Sequence, residues 1–240
     1  MSAVLYEAKD GIATATLNRP ESRNALNLAM CEGLLAACEA AAKDASVKVF
    51  LVRANGPVFC AGADLKERQG MSAEQVRDRR MKGFAAYSAL EALPMPAVAV
   101  VNGPAVGSGV EIAGACDFII ATRAASFRTP EAIRGTVGAT QRLPRVLGKR
   151  LAKDMMFTGR TLSADEALAH GLVTRLVEAD ALEAAVAEVA AAIVAAPKAS
   201  LAAAKRVIDR GVELDPAGAL AAEIEAIEAQ LASGQWMGRS

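Results

Sequence analysis

The chain has 240 residues, of which 53% are hydrophobic and 4% aromatic, which is enough apolar material to bury a sizeable core in one or two domains. The 27 basic side chains balance the 27 acidic ones, so no general attraction to nucleic acid or to an anionic membrane is predicted. The expected partner is therefore a small molecule or another protein chain.

The four cysteines, Cys31, Cys38, Cys60 and Cys116, form no CxxC pair, and the single histidine, His170, stands far from them in sequence. Zinc, haem-attachment and thioredoxin-type sites are therefore not predicted. Cys31 and Cys38 are seven residues apart and are expected to share the buried face of a helix. His170 precedes a glycine and is predicted to mark a helix C-terminus rather than a catalytic base.

The sequence predicts no leader and no membrane span. The first residues lack the basic-then-apolar pattern of a signal peptide, and the longest apolar runs, such as residues 95–101, are too short to cross a bilayer. Together with reduced thiols, these features predict a soluble cytoplasmic protein.

Strand and helix patterns alternate along the first three quarters of the chain. Strands are predicted at residues 11–17, 47–53, 97–101 and 117–121, and helices at residues 24–43 and 72–93, with a short helix after residue 109. This alternation favours parallel strand pairing in an α/β layer structure. The charge-rich stretch at residues 77–82 is predicted to be a solvated helix face.

Beyond residue 177 the pattern becomes purely helical. Three amphipathic helices are predicted at residues 180–195, 198–210 and 217–231. We therefore predict a first domain at residues 1–178 and a helical region at residues 179–240. Alanine-rich helices of low polarity suit close packing between subunits.

Glu111 and Glu131 are the candidate catalytic acids. Glu111 lies in an apolar run, and a buried carboxylate usually has a partner, a raised pKa or a chemical role. Its alternative role is to cap its own helix, and Glu131, which follows a proline, could likewise be a first-turn helix acid. Two acids near turns can also converge across a pocket and divide the acid and base roles. The spacing does not decide between these interpretations.

Two glycine-rich turns could hold an anion. Residues 107–109 read Gly-Ser-Gly between a strand and a helix, but the next glycine is Gly114 and Glu111 would repel a pyrophosphate, so a dinucleotide site is not favoured. Such a turn exposes backbone N–H groups that can bind an oxyanion, and residues 60–64 could do the same. The alternative is that both are ordinary tight turns.

Eight segments then carry a resemblance that spans nearly the whole chain. They are residues 18–20 with 24–26, 59–65 (Phe-Cys-Ala-Gly-Ala-Asp-Leu), 102–111 (Asn-Gly-Pro-Ala-Val-Gly-Ser-Gly-Val-Glu), 130–131, 140–144, 147–148, 157–159 and 167–173. In this order they resemble the crotonase (enoyl-CoA hydratase/isomerase) superfamily. Within it, residues 59–68 and 141–159 are most similar to methylglutaconyl-CoA hydratase and its relatives.

The resemblance implies an α/β fold: a crotonase-like spiral of ββα repeats, with C-terminal helices that mediate trimerisation. It implies a homotrimer or a dimer of trimers and an acyl-CoA substrate, with no metal and no cofactor beyond the CoA carried by that substrate. An RNA-binding relative of this branch uses a lysine-rich helix, but Asp78 interrupts the corresponding charges here, so nucleic acid is not the expected partner.

The resemblance also implies roles for particular residues. Glu111 would activate water for attack on Cβ, and Glu131 would donate a proton to Cα. The backbone N–H groups of Ala63 and Ser108 would form the oxyanion hole, although the family usually has glycine at the second position. The residues expected to contact the substrate are Ala61, Asp64, Leu65 and Gly107.

The implied activity is hydration of a 2-enoyl-CoA to a 3-hydroxyacyl-CoA in fatty acid or branched organic acid catabolism. The alternatives are a Δ3,Δ2-enoyl-CoA isomerase and a non-catalytic acyl-CoA-binding or RNA-binding paralogue. The sequence departs from the family in the loop after Glu131, which is about three residues shorter. The family's final basic and aromatic segment also has no counterpart.

Overall fold

The structure, a computed structural model, describes residues 2–234. In that range the strands are Val4–Lys9 (β1), Ile12–Leu17 (β2), Val49–Ala54 (β3), Ala97–Val101 (β4), Pro104–Val106 (β5), Phe118–Thr122 (β6), Ser126–Arg128 (β7), Thr161–Ser163 (β8) and Arg175–Val177 (β9). The α-helices are Leu28–Lys43 (α1), Ala73–Glu91 (α2), Ser108–Gly114 (α3), Arg142–Thr158 (α4), Ala164–Ala169 (α5), Leu182–Ala195 (α6), Lys198–Gly211 (α7) and Pro216–Ala232 (α8). The four predicted strands, the second long helix and the three C-terminal helices are confirmed to within a few residues.

The predicted start of the first long helix is wrong. Helix α1 begins at Leu28, because the Asn27 side chain accepts a hydrogen bond from the N–H of Met30 and caps the helix there. Before it, Asn24 has a positive φ, and its side-chain amide donates to the carbonyls of Asn55 and Val58 in the loop after β3. Leu26 pairs with Ala63 further along the same connection, so residues 24–26 are tied to that connection and not to the helix.

Two sheets form the framework. The six-stranded sheet has the order β1-β2-β3-β4-β6-β9, and only the β1–β2 pair is antiparallel, so the predicted parallel pairing is confirmed. The smaller sheet has the order β5-β7-β8. The chain passes from a strand of the large sheet to a strand of the small sheet and then to a helix, as in β4-β5-α3, which is the predicted ββα repeat.

The large sheet is covered on both faces, as parallel sheets usually are. Strand β4 is buried along its whole length, and its successive side chains point to opposite faces. The larger apolar cluster includes Ala97, Ala99 and Val101 of β4, together with residues of α1 and α3. On the other face, Val98 and Val100 pack against α6.

The C-terminal helices differ in their packing. Helix α6 contributes Leu182, Val186, Val189 and Ala190 to the outer face of the large sheet. Helices α7 and α8 pack mainly against each other. The division into two domains at residue 179 stays a prediction. Within residues 2–234, no helix combines the length and the apolar character needed to cross a membrane.

Candidate active site

A cavity of about 850 Å³ lies between α2, the loop after Cys60, the start of α3 and the segment after β7. The eight residues that the sequence singles out come from three separate parts of the chain. All of them line this one cavity: Ala61, Ala63, Asp64, Leu65, Gly107, Ser108, Glu111 and Glu131. The fold therefore brings the predicted site residues together, whereas their chemical roles stay a prediction.

The backbone of Ala63 is oriented by pairing with Leu26. The Leu26 N–H donates to the Gly62 carbonyl at 2.8 Å, and the Asp64 N–H donates to the Leu26 carbonyl at 2.9 Å. In such a parallel bridge the amide of the intervening residue points away from the partner strand. Within residues 2–234 the Ala63 N–H has no hydrogen-bond acceptor, so it is available to a ligand.

The second predicted donor, Ser108, is the first residue of α3, where the amide has no acceptor within the helix. The preceding Gly107 has a φ of 50°, which only glycine adopts readily, and its N–H donates to the Arg128 carbonyl at 2.8 Å. A Cβ at Gly109 would lie 2.5 Å from the carbonyl oxygen of Cys60. The two glycines therefore let the N-terminus of α3 approach the loop that carries Ala63.

Glu111 points from α3 into the cavity and is 7% exposed. One of its oxygens, Oε2, accepts a hydrogen bond from Arg142 Nη1 at 2.7 Å. Arg142 also donates to both carboxylate oxygens of Glu91 and lies over the Tyr87 ring, 5.7 Å from its centroid. Burial raises the pKa of Glu111, and the Arg142 guanidinium opposes that rise. The side chain forms an ion pair and does not cap its helix.

Glu131 lies at the start of a single 3₁₀ turn, Ala132–Arg134, and its side chain makes no capping hydrogen bond. Its carboxyl group fits between two glycines, because a Cβ on Gly107 would collide with Oε1 and a Cβ on Gly138 would lie 3.0 Å from Cγ. Oε2 is buried and has no hydrogen-bond partner among the described residues. Burial raises the pKa of Glu131. Its own backbone N–H opposes that rise, as do the charges of Arg134 and Arg80, whereas the Glu111 carboxylate adds to it.

The loop that follows Glu131 folds back against it. The N–H of Thr136 folds back to donate to the Glu131 carbonyl at 2.9 Å, and Gly135 makes the turn possible with a φ of 72°. Arg80 on α2 donates to the carbonyl of Val137 and ties the loop to the opposite wall. The loop therefore closes on itself immediately after the acid.

Asp64 has a clear structural role. Its carboxylate pairs with Arg19 at 3.0 Å and accepts hydrogen bonds from the N–H groups of Lys66 and Glu67. These contacts hold the loop that carries Ala63, whereas Leu65 lies exposed at its edge. A direct contact of either side chain with the substrate stays a prediction.

Sequence reasoning missed Arg142 and the wall formed by α2. The stretch at residues 77–82 was predicted to be a solvated face, which is wrong for two of its members. Arg79 is only 5% exposed and donates to Glu67 at 2.9 Å, and both Arg79 and Arg80 line the cavity. The sequence does carry a signal for this burial. Arg79, Gly83 and Tyr87 are spaced four residues apart, so they lie on one face of the helix, and all three are buried.

The cysteines and the histidine have the structural positions predicted for them. Cys31 and Cys38 are buried on one face of α1, and His170 is the C-cap of α5. In the described part of the chain, no group of three or more His, Cys, Asp or Glu side chains could hold a metal ion.

Known proteins with the same sequence pattern and fold identify the family. The sequence model of the enoyl-CoA hydratase/isomerase family matches residues 7–236. The short-chain-enoyl-CoA hydratase of Clostridium acetobutylicum is 37% identical over 230 residues, which cover 94% of this chain and 88% of that protein. The human enoyl-CoA hydratase domain-containing protein 2, named as mitochondrial, is 40% identical over 223 residues, covering 89% and 76%.

The solved structures agree with the sequence relatives. The enoyl-CoA hydratase of Bacillus anthracis superposes with a TM-score of 0.91 at 36% identity, covering 94% of this chain and 90% of that one. An enoyl-CoA hydratase from Mycobacterium smegmatis also gives a TM-score of 0.91, at 34% identity, covering 95% and 91%. The chain belongs to the enoyl-CoA hydratase/isomerase family and has the crotonase fold.

Proposed function

We propose that the protein adds water across the Cα=Cβ bond of a 2-enoyl-CoA thioester to give a 3-hydroxyacyl-CoA. The observation that carries the proposal is the pair of carboxyl groups, Glu111 and Glu131. They line one cavity together with two backbone N–H groups that have no acceptor in the described part of the chain. The relatives named as hydratases support the same activity. The cytoplasmic location and the role in fatty or organic acid catabolism belong to this proposal.

The thioester oxygen would sit between the N–H groups of Ala63 and Ser108. Attack on Cβ moves negative charge onto that oxygen, and two fixed N–H donors stabilise the charge as it develops. Removing one donor of this kind typically raises the barrier by about 3 kcal/mol. Because both contacts come from the backbone, serine can replace the family's usual glycine at position 108 if the turn keeps its shape.

Different surroundings suit the two carboxyl groups to different steps. Arg142 stabilises Glu111 as a carboxylate, so Glu111 takes a proton from water while the water oxygen bonds to Cβ. Among the described residues, no cation is in hydrogen-bonding contact with Glu131 and its buried Oε2 has no partner, which favours its protonated form. Glu131 therefore gives its proton to Cα, and the two groups regain their starting states by exchanging protons with solvent.

The reaction needs no redox partner, because a proton and a hydroxide equivalent are added to the double bond without any net change in oxidation level. Two carboxyl groups and an oxyanion hole are sufficient for it. CoA enters as part of the substrate and leaves as part of the product. We therefore propose that no separate cofactor takes part.

An isomerase would need only one carboxyl group, which moves a proton between two carbons of the acyl chain. The test is to assay 2-butenoyl-CoA hydration by the loss of enoyl-thioester absorbance, and to assay a 3-enoyl-CoA separately. We expect turnover of the first substrate. Unchanged absorbance at high enzyme concentration, together with turnover of the 3-enoyl-CoA, would establish the isomerase instead. Binding of both esters without turnover would indicate a non-catalytic paralogue.

The proposed assembly is a trimer or a dimer of trimers. An apolar groove between α7 and α8 leaves large side chains such as Ile208, Val212 and Leu220 exposed, as is typical of surfaces covered by a second subunit. Light scattering should give the mass of three or six chains for the wild type, and L220K should lower it. A monomeric wild type would contradict this part of the proposal.

A further inference from the structure

The ion pair of Glu111 is part of a cluster of three charged side chains. Arg142 lies between two carboxylates, one on α3 and the other at the end of α2. Its Nε and Nη2 atoms donate to Oε1 and Oε2 of Glu91 at 2.6 and 2.5 Å, and its Nη1 atom donates to Oε2 of Glu111 at 2.7 Å. The mechanism above assigns roles to Arg142 and Glu111 and none to Glu91.

Glu91 occupies a position that its own helix does not favour. It is the last residue of α2, where the free backbone carbonyls carry partial negative charge, and no basic residue lies in that turn. A carboxylate at this end is repelled by the helix dipole. The stabilising partner of Glu91 is therefore Arg142 and not its own helix.

The guanidinium makes more hydrogen bonds to Glu91 than to Glu111. Glu91 accepts two parallel hydrogen bonds, the arrangement that best fits a planar guanidinium, whereas Glu111 accepts one. The exposed fraction of the side chain falls from 45% for Glu91 to 18% for Arg142 and 9% for Glu111. The buried carboxylate therefore shares its cation with a carboxylate that solvent can reach.

Sharing changes the net charge that accompanies ionisation of Glu111. When both carboxylates are ionised, they face one guanidinium, so the cluster carries a net negative charge. Without Glu91, Arg142 would neutralise Glu111 alone and hold it more firmly as a carboxylate, which is then a weaker base. Burial is the main cause of the raised pKa of Glu111, and the Glu91 charge adds to it, whereas Arg142 opposes both.

Other titratable groups surround the cluster. They come from the segment after β7, the turn before β6 and α7, and they are Glu131, Asp117, Lys205 and Asp209. Lys205 pairs with Asp117. Within residues 2–234, Arg142 is the only cation that pairs with Glu91 or with Glu111. The charges in direct contact with Glu111 and its cation are therefore those of this cluster.

The guanidinium has a second support on α2. Tyr87 lies one turn before Glu91, and the centroid of its ring is 5.7 Å from the guanidinium carbon of Arg142. A glutamine at position 91 would still offer its amide oxygen as a hydrogen-bond acceptor. Arg142 can therefore keep its place in E91Q while the negative charge of Glu91 is lost.

We propose that Glu91 is a positioning residue for the base, which holds Arg142 and takes up part of its charge, so that Glu111 stays basic enough to activate water. The inference rests on the proposed hydration for the role of Glu111. The sharing of Arg142 can be measured without any reaction.

The test compares the pH dependence of 2-butenoyl-CoA hydration in the wild type and in E91Q. Loss of the Glu91 charge should lower the pKa of Glu111, so the acid limb of kcat/KM should move to lower pH by roughly 0.5 to 1 pH unit. The limiting kcat should fall about two- to threefold because the base is weaker, and KM should change little. R142Q, which removes the cation itself, should move the limb in the opposite direction.

Two further variants separate charge from shape. E91D keeps the charge near Arg142 and should stay closer to the wild-type profile than E91Q does. E74Q makes the same chemical change at an exposed acid at the other end of α2 and should leave the profile unchanged. An equal shift in E91D and E91Q would reject the inference, because the charge would not be its cause.

Two other results would overturn the inference. If the acid limb of E91Q moves to higher pH, Glu91 only keeps Arg142 in contact with Glu111. If E91Q has the wild-type profile, Glu91 only joins α2 to α4.

If no enoyl-CoA is hydrated, the proposed function fails, and NMR titration of the 13C-labelled Glu111 carboxyl group then decides on Glu91. The signal is assigned by its absence in E111Q. A lower pKa of Glu111 in E91Q than in the wild type supports the inference, and an equal or higher pKa rejects it.

Discussion

The two carboxyl groups of the cavity are held in contrasting ways. Glu111 is on a helix whose start is packed tightly against the Cys60 loop, and Arg142 fixes one of its oxygens. Glu131 is on a short exposed turn, and its buried oxygen has no partner among the described residues. Both have raised pKa values because both are buried.

In the proposed mechanism, the partners of the two carboxyl groups, and not their burial, separate their roles. Burial favours the neutral form of either acid. A guanidinium in contact with only one of them stabilises the carboxylate form of that one, and it leaves the other as the better proton donor. The proposed assignment of the base to Glu111 and the acid to Glu131 rests on this asymmetry.

The largest effect is expected from E111Q. This substitution keeps the shape of the side chain but removes the group that takes the proton from water, so kcat should fall by about 10²- to 10⁴-fold. The dissociation constant of a saturated acyl-CoA should change little. E74Q, which alters an exposed acid in the first turn of α2, is the control. A kcat near the wild-type value would remove Glu111 from the mechanism.

A somewhat smaller effect is expected from G109A. The added methyl group would meet the backbone carbonyl of Cys60 at 2.5 Å and push the start of α3 away from the Ala63 loop. The oxyanion donors would then separate, and kcat should fall by about 10²- to 10³-fold, as for loss of one donor. G114A, on the same helix, is the matched control, because its methyl group would meet only the Cβ atom of Arg142 at 3.9 Å.

The comparison with G114A also distinguishes this explanation from general destabilisation of α3. If G109A and G114A retain the same kcat and the same melting temperature, the close approach of α3 to the Cys60 loop is not needed for catalysis.

The smallest effect on the maximal rate is expected from R142Q, which should instead change the pH dependence. Arg142 lowers the pKa of Glu111 against the effect of burial, so its removal should raise that pKa. Because the base must be ionised, the acid limb of kcat/KM should move to higher pH. Activity should be lost most at low pH and recover as the pH rises.

R145Q provides the control for the pH experiment. Arg145 lies one turn further along α4 and pairs with the exposed Glu213, so the variant should leave the acid limb where it is in the wild type. If the acid limb of the kcat/KM profile also stays at its wild-type pH in R142Q, the ion pair does not set the ionisation of Glu111.

Much of the fold was predictable because its signals are local. Alternating apolar residues identified β2, and the run at residues 97–101 identified β4, since strands buried on both faces read as continuous apolar stretches. The three-residue strands such as β5 and β7 were not predicted, because segments of that length carry too little periodicity. Strand β1 was also missed, since five of its six residues are exposed.

The site could be predicted only where the backbone conformation requires a particular residue type, such as glycine. Gly107 and Gly109 can be recognised in the sequence as a glycine-rich turn, because a side chain at either position would clash. Ser108 and Glu111 lie next to that turn and could therefore be predicted as site residues. Arg79 was missed because a charged residue on a helix is usually solvated. Only the three-dimensional packing shows that Arg79 lines the cavity and that Arg142 pairs with Glu111.

The most direct test of the central claim separates the two proton transfers. A saturated four-carbon acyl-CoA cannot be hydrated, but its Cα proton can exchange with D2O if Glu131 removes and returns it. Mass spectrometry should show deuterium incorporation with the wild type and with E111Q, and none with E131Q. Exchange that persists in E131Q and disappears in E111Q would contradict the assignment of the acid and the base.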